Sequence, residues 1–435
     1  MQDRKSNNIS PWAWVPTLYF AEGIPYFIVN VISVTMFKRL GMSNGDLAMY
    51  TSLLYLPWVI KPVWSPFVDV IRTKRWWILA MQLTVTIGFA ALALSVSPDA
   101  FGLSIVCFYI VAFASATHDV AADGFYMLAL DRKRQSMFVG IRSTFYRIAS
   151  VFGQGIIVVF AGILEQKTGD IPRAWSFTLG ASSVLFAAIT LWHFFALPEA
   201  ETSDRKPEAG TDSQNASGSA ARIFKDFSRV WISFFRKDGV WLAIVFMLLY
   251  RLPEAFSVKM LTPFMLDDPS AGGLGLSTAQ SGLVYGTVGV IALTVGGILG
   301  GFYASRFGLK KSLWPMSLSL ALPCAVYLYM AIAQPSELWV VYLCVAFDQF
   351  GYGFGFTAYM LYMMYFSEGE FKTSHYAICT AFMALSMMLP GLVAGFLQES
   401  LGYTNFFWMV MVCCMATVGV TFIAERKIDP EYGRK

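Results

Sequence analysis

Twelve apolar stretches, each about long enough to cross a bilayer, follow one another along this 435-residue chain. They lie at about 14–38, 46–68, 76–96, 102–129, 137–162, 174–197, 238–265, 279–304, 312–333, 338–366, 374–398 and 404–424. A hydrocarbon core ~30 Å thick takes ~20 residues of helix. Backbone hydrogen bonds must close within each segment there, so runs of this length are helices. The strands of a β-barrel would be short and alternating. The expected fold is an all-α polytopic membrane protein with twelve transmembrane helices. A content of 56% hydrophobic and 14% charged residues excludes disorder and argues against an ordinary soluble enzyme.

Ten charges nevertheless lie inside these stretches. The acids are Glu22, Asp119, Asp123, Glu254 and Asp348; the bases are Lys61, Arg142, Arg147, Arg251 and Lys259. A charge at membrane depth costs several kcal/mol unless it meets a partner or a watery cavity. The ten together imply a polar pathway, and the acids fall on the first, fourth, seventh and tenth stretches. The remaining bases are asymmetric. With a cytoplasmic N-terminus, 23 of the 32 Lys and Arg lie in the N-tail, the even-numbered loops and the C-tail. Only Lys38, Arg39, Lys167 and Arg173 lie on the other side. This bias puts both termini in the cytoplasm. The net charge of +4 is no nucleic-acid signal. The first stretch is too long for a cleavable signal and no small-x-small site follows it.

Residues 198–222 are polar, small and unpatterned, and read as a disordered linker. Residues 223–237 carry apolar positions at helical spacing with basic edges, an amphipathic helix suited to the cytoplasmic leaflet or to a partner protein. The expected organisation is a six-helix bundle at 1–197, a linker with an interfacial helix at 198–237, and a second six-helix bundle at 238–435. All six cysteines fall inside spans and read as packing residues. No Cys–His spacing suggests zinc, and neither metal nor cofactor is expected.

The two halves echo each other. Asp69, Arg72, Lys74 and Arg75 follow the second span; Gly301, Ser305, Arg306, Gly308 and Lys310 follow the eighth. The second set fits G-x3-D-R-x-G-x-K-x2-L with Ser305 in the Asp position; the first keeps the charges and lacks the glycines. This loop, at these two places, resembles that of the major facilitator superfamily. The resemblance implies two six-helix bundles, each of two inverted three-helix units, with spans 1, 4, 7 and 10 lining a central cavity and substrate near the midplane.

Asp119 and Asp123 are four apart and share a helix face. Two carboxylates that close repel, which favours a proton on one of them. That suits proton-coupled transport; the alternative is permanent pairing with Arg147 or Lys61. Glu22, Glu254 and Asp348 join them as proton-coupling candidates. His118 reads as a packing residue or a relay member. Arg147 lies ~15 Å into its span, too deep to snorkel easily. It suits an anionic substrate or an acidic partner, with Gln154 on its face. Lys61 reads as a partner of the span 4 acids or as substrate contact. Arg251 and Glu254 are three apart and can pair, beside the kink that Pro253 allows. Lys259 and Arg142 are expected to snorkel. Gly351, Gly353 and Gly355 weaken their helix and invite bending. Asp348, Tyr352, Gly355 and Tyr359 share a face suited to sugar or peptide, and Tyr19 sits near Glu22. Gly296 and Gly300 permit close helix approach.

Several further stretches resemble a narrower family, the peptide/acetyl-coenzyme A transporter branch and in particular the AmpG-type muropeptide permeases. They are Lys61-Pro-Val-Trp-Ser-Pro-Phe-Val-Asp69, Ser115-Ala-Thr-His-Asp119-Val-Ala-Ala-Asp123, Tyr146-Arg147, Leu249-Tyr-Arg251-Leu-Pro-Glu254-Ala-Phe256 and Phe347-Asp348-Gln-Phe-Gly-Tyr-Gly-Phe-Gly355. The resemblance implies proton-driven import of a muropeptide or related amino-sugar or peptide solute across a bacterial inner membrane. Related branches carry siderophores or acetyl-coenzyme A, and a drug or metabolite exporter is a further alternative. Glu22 stands where a small neutral residue is usual, Arg251 and Glu254 where Lys and Asp are, and His375 where an amide is. The best-known permeases carry two more C-terminal spans. The expected partners are a small-molecule solute, protons and the lipid bilayer, with no nucleic acid; the chain is expected to act as a monomer and not as an enzyme.

Overall fold

The computed structural model describes residues 9–199 and 228–432; the side chains of Asp69, Val70, Arg132, Lys133, Ser136 and Val139 lie outside that description. The described residues are almost wholly helical. Helix α1 (Pro11–Phe27) runs through a π-helical turn, Ile28–Ile32, into α2 (Ser33–Arg39). Then come α3 (Asn44–Leu53), α4 (Leu56–Val70), α5 (Lys74–Ser95) and α6 (Phe101–Ala129). Helix α7 (Arg132–Val151) passes through a second π-turn, Phe152–Ile157, into α8 (Val158–Thr168), and α9 is Ile171–Ala196. A short helix, α10, covers 228–235. Helices α11 (Val240–Leu249) and α12 (Leu252–Leu266) follow, broken at Arg251 beside Pro253. Helix α13 (Thr278–Ser281) leads through a third π-turn, Gly282–Gly289, into α14 (Val290–Ala321) and α15 (Ala325–Ala333). The chain ends with α16 (Leu338–Ser367) and α17 (Lys372–Glu425).

Eight helical rods among the described residues are long and apolar enough to cross a membrane. Two of them, Thr278–Ala333 and Lys372–Glu425, have 56 and 54 residues. At ~1.5 Å per residue each would be ~80 Å if straight, far more than a bilayer needs. Each turns at a glycine: Gly308 has φ 76° and ψ 168°, Gly402 φ 72° and ψ 165°. Only glycine takes this backbone region cheaply. The segments before and after Gly308 flank the same helix, since Gly296 abuts the Phe350 carbonyl and Gly355 abuts that of Met316. The rod therefore doubles back.

Short polar connections cap the helices. Ser43, Thr73, Asp131 and Asp170 each accept a backbone N–H from the first turn of the helix they precede, and Ser277 with Gln280 forms a full capping box. Two apolar clusters, around Phe108 and Phe125, draw only on residues up to Leu197. A third, around Tyr359, draws only on residues from Val230 onward; the fourth adds Ala48 to residues 252–413.

Helix α16 is continuous through its three glycines. A Cβ on Gly351, Gly353 or Gly355 would overlap the Ser319, Leu293 or Met316 carbonyl of α14, so their absent side chains let α14 pack on both sides of α16. The cysteines are free thiols, buried or half-buried.

Of the amphipathic 223–237 segment, residues 223–227 lie outside the description. In α10, Phe234 is fully buried while Ile232 and Phe235 are exposed. Ser233 Oγ lies 2.9 Å from His375 Nε2. Lys237 Nζ donates to the carbonyls of Phe366 (2.5 Å) and Glu368 (2.7 Å), and burial holds its ammonium below the ordinary lysine range.

Candidate functional site

Glu22 on α1 meets Asp119 and Asp123 on α6, and carboxylate oxygens of the three lie within 4.8 Å of one another. Two cations answer them. Lys61 on α4 forms an ion pair with Asp119. Arg142 on α7 bonds Asp123 Oδ1 at 2.8 Å and stacks its guanidinium 4.5 Å from the Tyr19 ring centroid. Tyr19 donates to the same Asp123 oxygen at 3.1 Å. Arg142 is therefore an ion-pair partner and does not snorkel; a lipid-ward reach would leave Asp123 without its cation. With all groups ionised, three acids face two bases and one negative charge is left over. Among the described residues it falls on Glu22, which is 7% exposed and whose Oε2 has no hydrogen-bond partner there. Three carboxylates could hold a metal by spacing, but Lys61 and Arg142 already claim two of them.

Behind Asp119 lies a dry polar chain. His118 Nε2 is 3.0 Å from Gln82 Nε2, His193 Nδ1 is 3.0 Å from Gln82 Oε1, and His193 Nε2 is 2.9 Å from Thr17 Oγ1. It ties α1, α5, α6 and α9 together and gives His118 a structural bond.

The second cluster is in the other half. Arg251 Nε bonds Glu254 Oε2 at 2.9 Å, and its second nitrogen reaches Glu254 Oε1 at 3.3 Å and the Tyr352 hydroxyl at 2.9 Å. Ring centroids of Tyr352, Phe356 and Tyr359 stand 5.2, 4.8 and 5.8 Å from the guanidinium. Arg251 precedes the first turn of α12, and Glu254 lies three residues on. Tyr359 donates to the Met247 carbonyl at 2.7 Å.

The other charges are placed apart. Asp348 accepts from Tyr327 at 2.5 Å and from Gln349 at 3.0 Å, with no cation within ion-pair distance among the described residues. It does not share the Arg251 cage with Tyr352 and Tyr359. Arg147 reaches across to Thr294 Oγ1 at 3.5 Å and meets no carboxylate among the described residues. Gln154 bonds Ser150 on its own helix face. Lys259 is buried and donates to Thr51 Oγ1 at 2.9 Å, so it does not snorkel; the bond crosses from α12 to α3.

One end of the molecule is sealed between the halves. Lys38 meets Asp267 at 2.5 Å. Asn44 donates to Asp267, Gln398 and the Tyr403 oxygen at 3.0, 2.7 and 3.1 Å. Tyr403 donates to Asp267 at 2.6 Å. Glu165 accepts from Thr278 at 2.7 Å and from Arg39 at 3.1 Å. Glycines bring backbones together below the seal: a Cβ on Gly286 or Gly395 would overlap the Gln154 or Asn44 carbonyl.

The family model for the Major Facilitator Superfamily matches residues 17–370 and, in a second match, 252–434. The chain belongs to the Major Facilitator Superfamily. It is 23% identical over 420 residues to the anhydromuropeptide permease of Escherichia coli K12, covering 95% of this chain and 79% of that one. It is 22% identical over 409 residues to an uncharacterised protein of Haemophilus influenzae, covering 90% and 89%. Among solved structures it resembles a bacterial homologue of the human lysosomal transporter Spinster in an inward-facing, occupied conformation (TM-score 0.71, 13% identity, 98% of both chains). It also resembles the nucleoside transporter NupG (TM-score 0.66, 17% identity, 95% of this chain and 98% of that one).

As a member of the Major Facilitator Superfamily the chain is a secondary transporter of a small organic solute, not an enzyme, and a multi-pass protein of a bacterial inner membrane. Of its loop motif, the Asp69 side chain lies outside the description. Arg72 has φ 66° and stacks 6.0 Å from Trp76. Arg306 stacks on Phe307, Gly308 makes the turn, and Gly301 has open space before its Cα. Lys310 lies one residue beyond Leu309, whose N–H donates to the Tyr432 carbonyl at 3.0 Å. The seal residues Asn44, Asp267 and Tyr403, and Phe356 of the Arg251 cage, are absent from the residues that sequence reasoning picks out. Polar groups at helix ends look solvated, and an uncharged aromatic ring carries no membrane penalty to draw attention.

Proposed function

We propose that this superfamily member imports a muropeptide or related amino-sugar or peptide solute, driven by protons, by rocking two six-helix bundles about a midplane site. Counting the two doubled rods twice, and adding 44–70 and Leu338–Ser367, gives twelve spans. The bundles are 1–197 and 238–435, joined by the linker at 198–237. The observation that carries the coupling is the odd carboxylate: three acids, two bases and an unpartnered Glu22 Oε2 in one cluster. One added proton makes that cluster neutral. A neutral cluster crosses the low-dielectric stage of a rocking motion at far less cost than a charged one.

Under the positive-inside bias both termini are cytoplasmic and the seal of Lys38, Asn44 and Asp267 faces the periplasm. The conformation is then inward-facing. Arg147 and the caged Arg251 are cationic groups for cargo bearing a carboxylate, and the tyrosines around Glu254 offer ring faces and hydroxyls to a sugar. The named E. coli relative supports the muropeptide cargo.

Vesicles with an acidic exterior should accumulate a labelled N-acetylglucosamine-anhydro-N-acetylmuramyl peptide, and a protonophore should reduce accumulation to equilibrium. Accumulation indifferent to protonophore would end the coupling reading. Absence of counterflow with that ligand would end the cargo reading and leave the coupling one intact.

A further inference from the structure

Where α10 meets the start of α11 and the end of α17, a groove of about 560 Å³ opens on the surface, lined by Arg236, Lys237, Asp238, Trp241 and Lys427. Three cations face one acid. Lys237 is already committed to two carbonyls. Arg236 and Lys427 are both exposed, with no carboxylate within ion-pair distance of either among the described residues. Two free cations of different elements thus border one concavity.

The rim is apolar. Trp241 is 70% exposed, Ile232 51% and Phe235 40%. Trp231, Phe235 and Trp241 form a continuous band, with ring centroids 6.1 and 6.2 Å apart in succession. Trp241 rides on the first turn of a membrane-crossing rod, Val240–Leu266, so the band lies where headgroups meet hydrocarbon. A soluble anion would use the cations and leave the band in water. An anionic amphiphile uses both.

We propose that this groove binds the headgroup of an anionic phospholipid, its phosphate between Arg236 and Lys427 and its acyl chains along Trp241. The guanidinium offers a fork to two phosphate oxygens, and the ammonium adds a point charge. The lipid would brace α10, the first described helix after α9, against the second half. This does not depend on the cargo or on the coupling ion.

The full chain in phosphatidylcholine vesicles, doped with a minor fraction of dibrominated phosphatidylglycerol or dibrominated phosphatidylcholine, tests it through quenching of Trp241. The Trp241→Phe difference isolates that signal. Brominated phosphatidylglycerol should quench several-fold more than its neutral counterpart. Arg236→Gln and Lys427→Gln should each weaken the preference about fivefold. High salt should weaken it in the unmodified protein as well, which keeps the test independent of variant folding. Equal quenching by the two lipids overturns the proposal. So does displacement by free glycerol phosphate at equal concentration, which would make the site one for a soluble phosphate ester.

Discussion

Lys38 Nζ stands 2.5 Å from Asp267 Oδ1, and that contact joins the two halves of the chain at their sealed end. Asp267 is also the acceptor for Asn44 and Tyr403. One carboxylate thus holds groups from α2, α3 and α17. Asp267→Asn removes the ion pair and leaves Lys38 facing an amide. The side chains of the pair are 13% and 18% exposed, so the loss is about 1–3 kcal/mol. That is about a 5- to 150-fold shift away from the sealed conformation. A cysteine placed at Ser52, in an otherwise cysteine-free chain, should react correspondingly faster with an impermeant maleimide supplied from the sealed side. Unchanged labelling would mean that the Asn44–Gln398 and Thr278–Glu165 bonds, with the glycine contacts, hold the seal without this ion pair.

Glu22→Gln and Asp119→Asn should separate coupling from architecture. The first neutralises the odd carboxylate and disturbs no ion pair. Gradient-driven accumulation should collapse to equilibrium while counterflow stays within about twofold of the unmodified rate. The second strands the Lys61 ammonium beside an amide in a half-exposed site, at about 1–3 kcal/mol in stability. Asp119→Asn should therefore lower the unfolding temperature, and Glu22→Gln should not. Gradient-dependent uptake by Glu22→Gln would move the coupling proton elsewhere.

Much of both clusters is legible in the sequence. A charge in an apolar run is so costly that Glu22, Lys61, Asp119, Asp123, Arg251 and Glu254 stand out from sequence alone. Spacing also suggests the Arg251–Glu254 pair. What sequence cannot give is azimuth. Arg142 and Lys259, close to span ends, look able to reach water, yet one turns to Asp123 and the other to Thr51. Arg147, deep enough to demand a carboxylate, has a threonine instead. Depth follows from counting residues; the facing direction depends on which helix packs alongside, and that is a long-range property.

Arg251→Lys should damage the second cluster although it keeps the charge. The guanidinium bonds both Glu254 oxygens and the Tyr352 hydroxyl at once, inside three aromatic rings. A lysine ammonium is shorter in lateral reach and cannot make the planar fork. Both partners are nearly dry, so losing two of three bonds should cost about 2–4 kcal/mol, read as a lower unfolding temperature in detergent. A thermally unchanged Arg251→Lys protein would show that a point charge is sufficient there.

Two glycine substitutions should differ in sign. Both Gly353 and Gly301 lie inside apolar helices, and helix propensity favours alanine at each by about 1 kcal/mol. At Gly301 a Cβ meets nothing within 4 Å, so Gly301→Ala should be neutral or slightly stabilising. At Gly353 the Cβ would overlap the Leu293 carbonyl, a backbone atom that cannot swing aside. Accommodating it means separating α16 from α14 along the closest helix contact in the second half. Overpacking of this kind costs about 1–3 kcal/mol, occasionally more, and outweighs the propensity gain. Gly353→Ala should therefore unfold at lower temperature than the unmodified chain, and Gly301→Ala should not. Equal effects would mean that helix propensity, not interhelical approach, governs the α16 glycines.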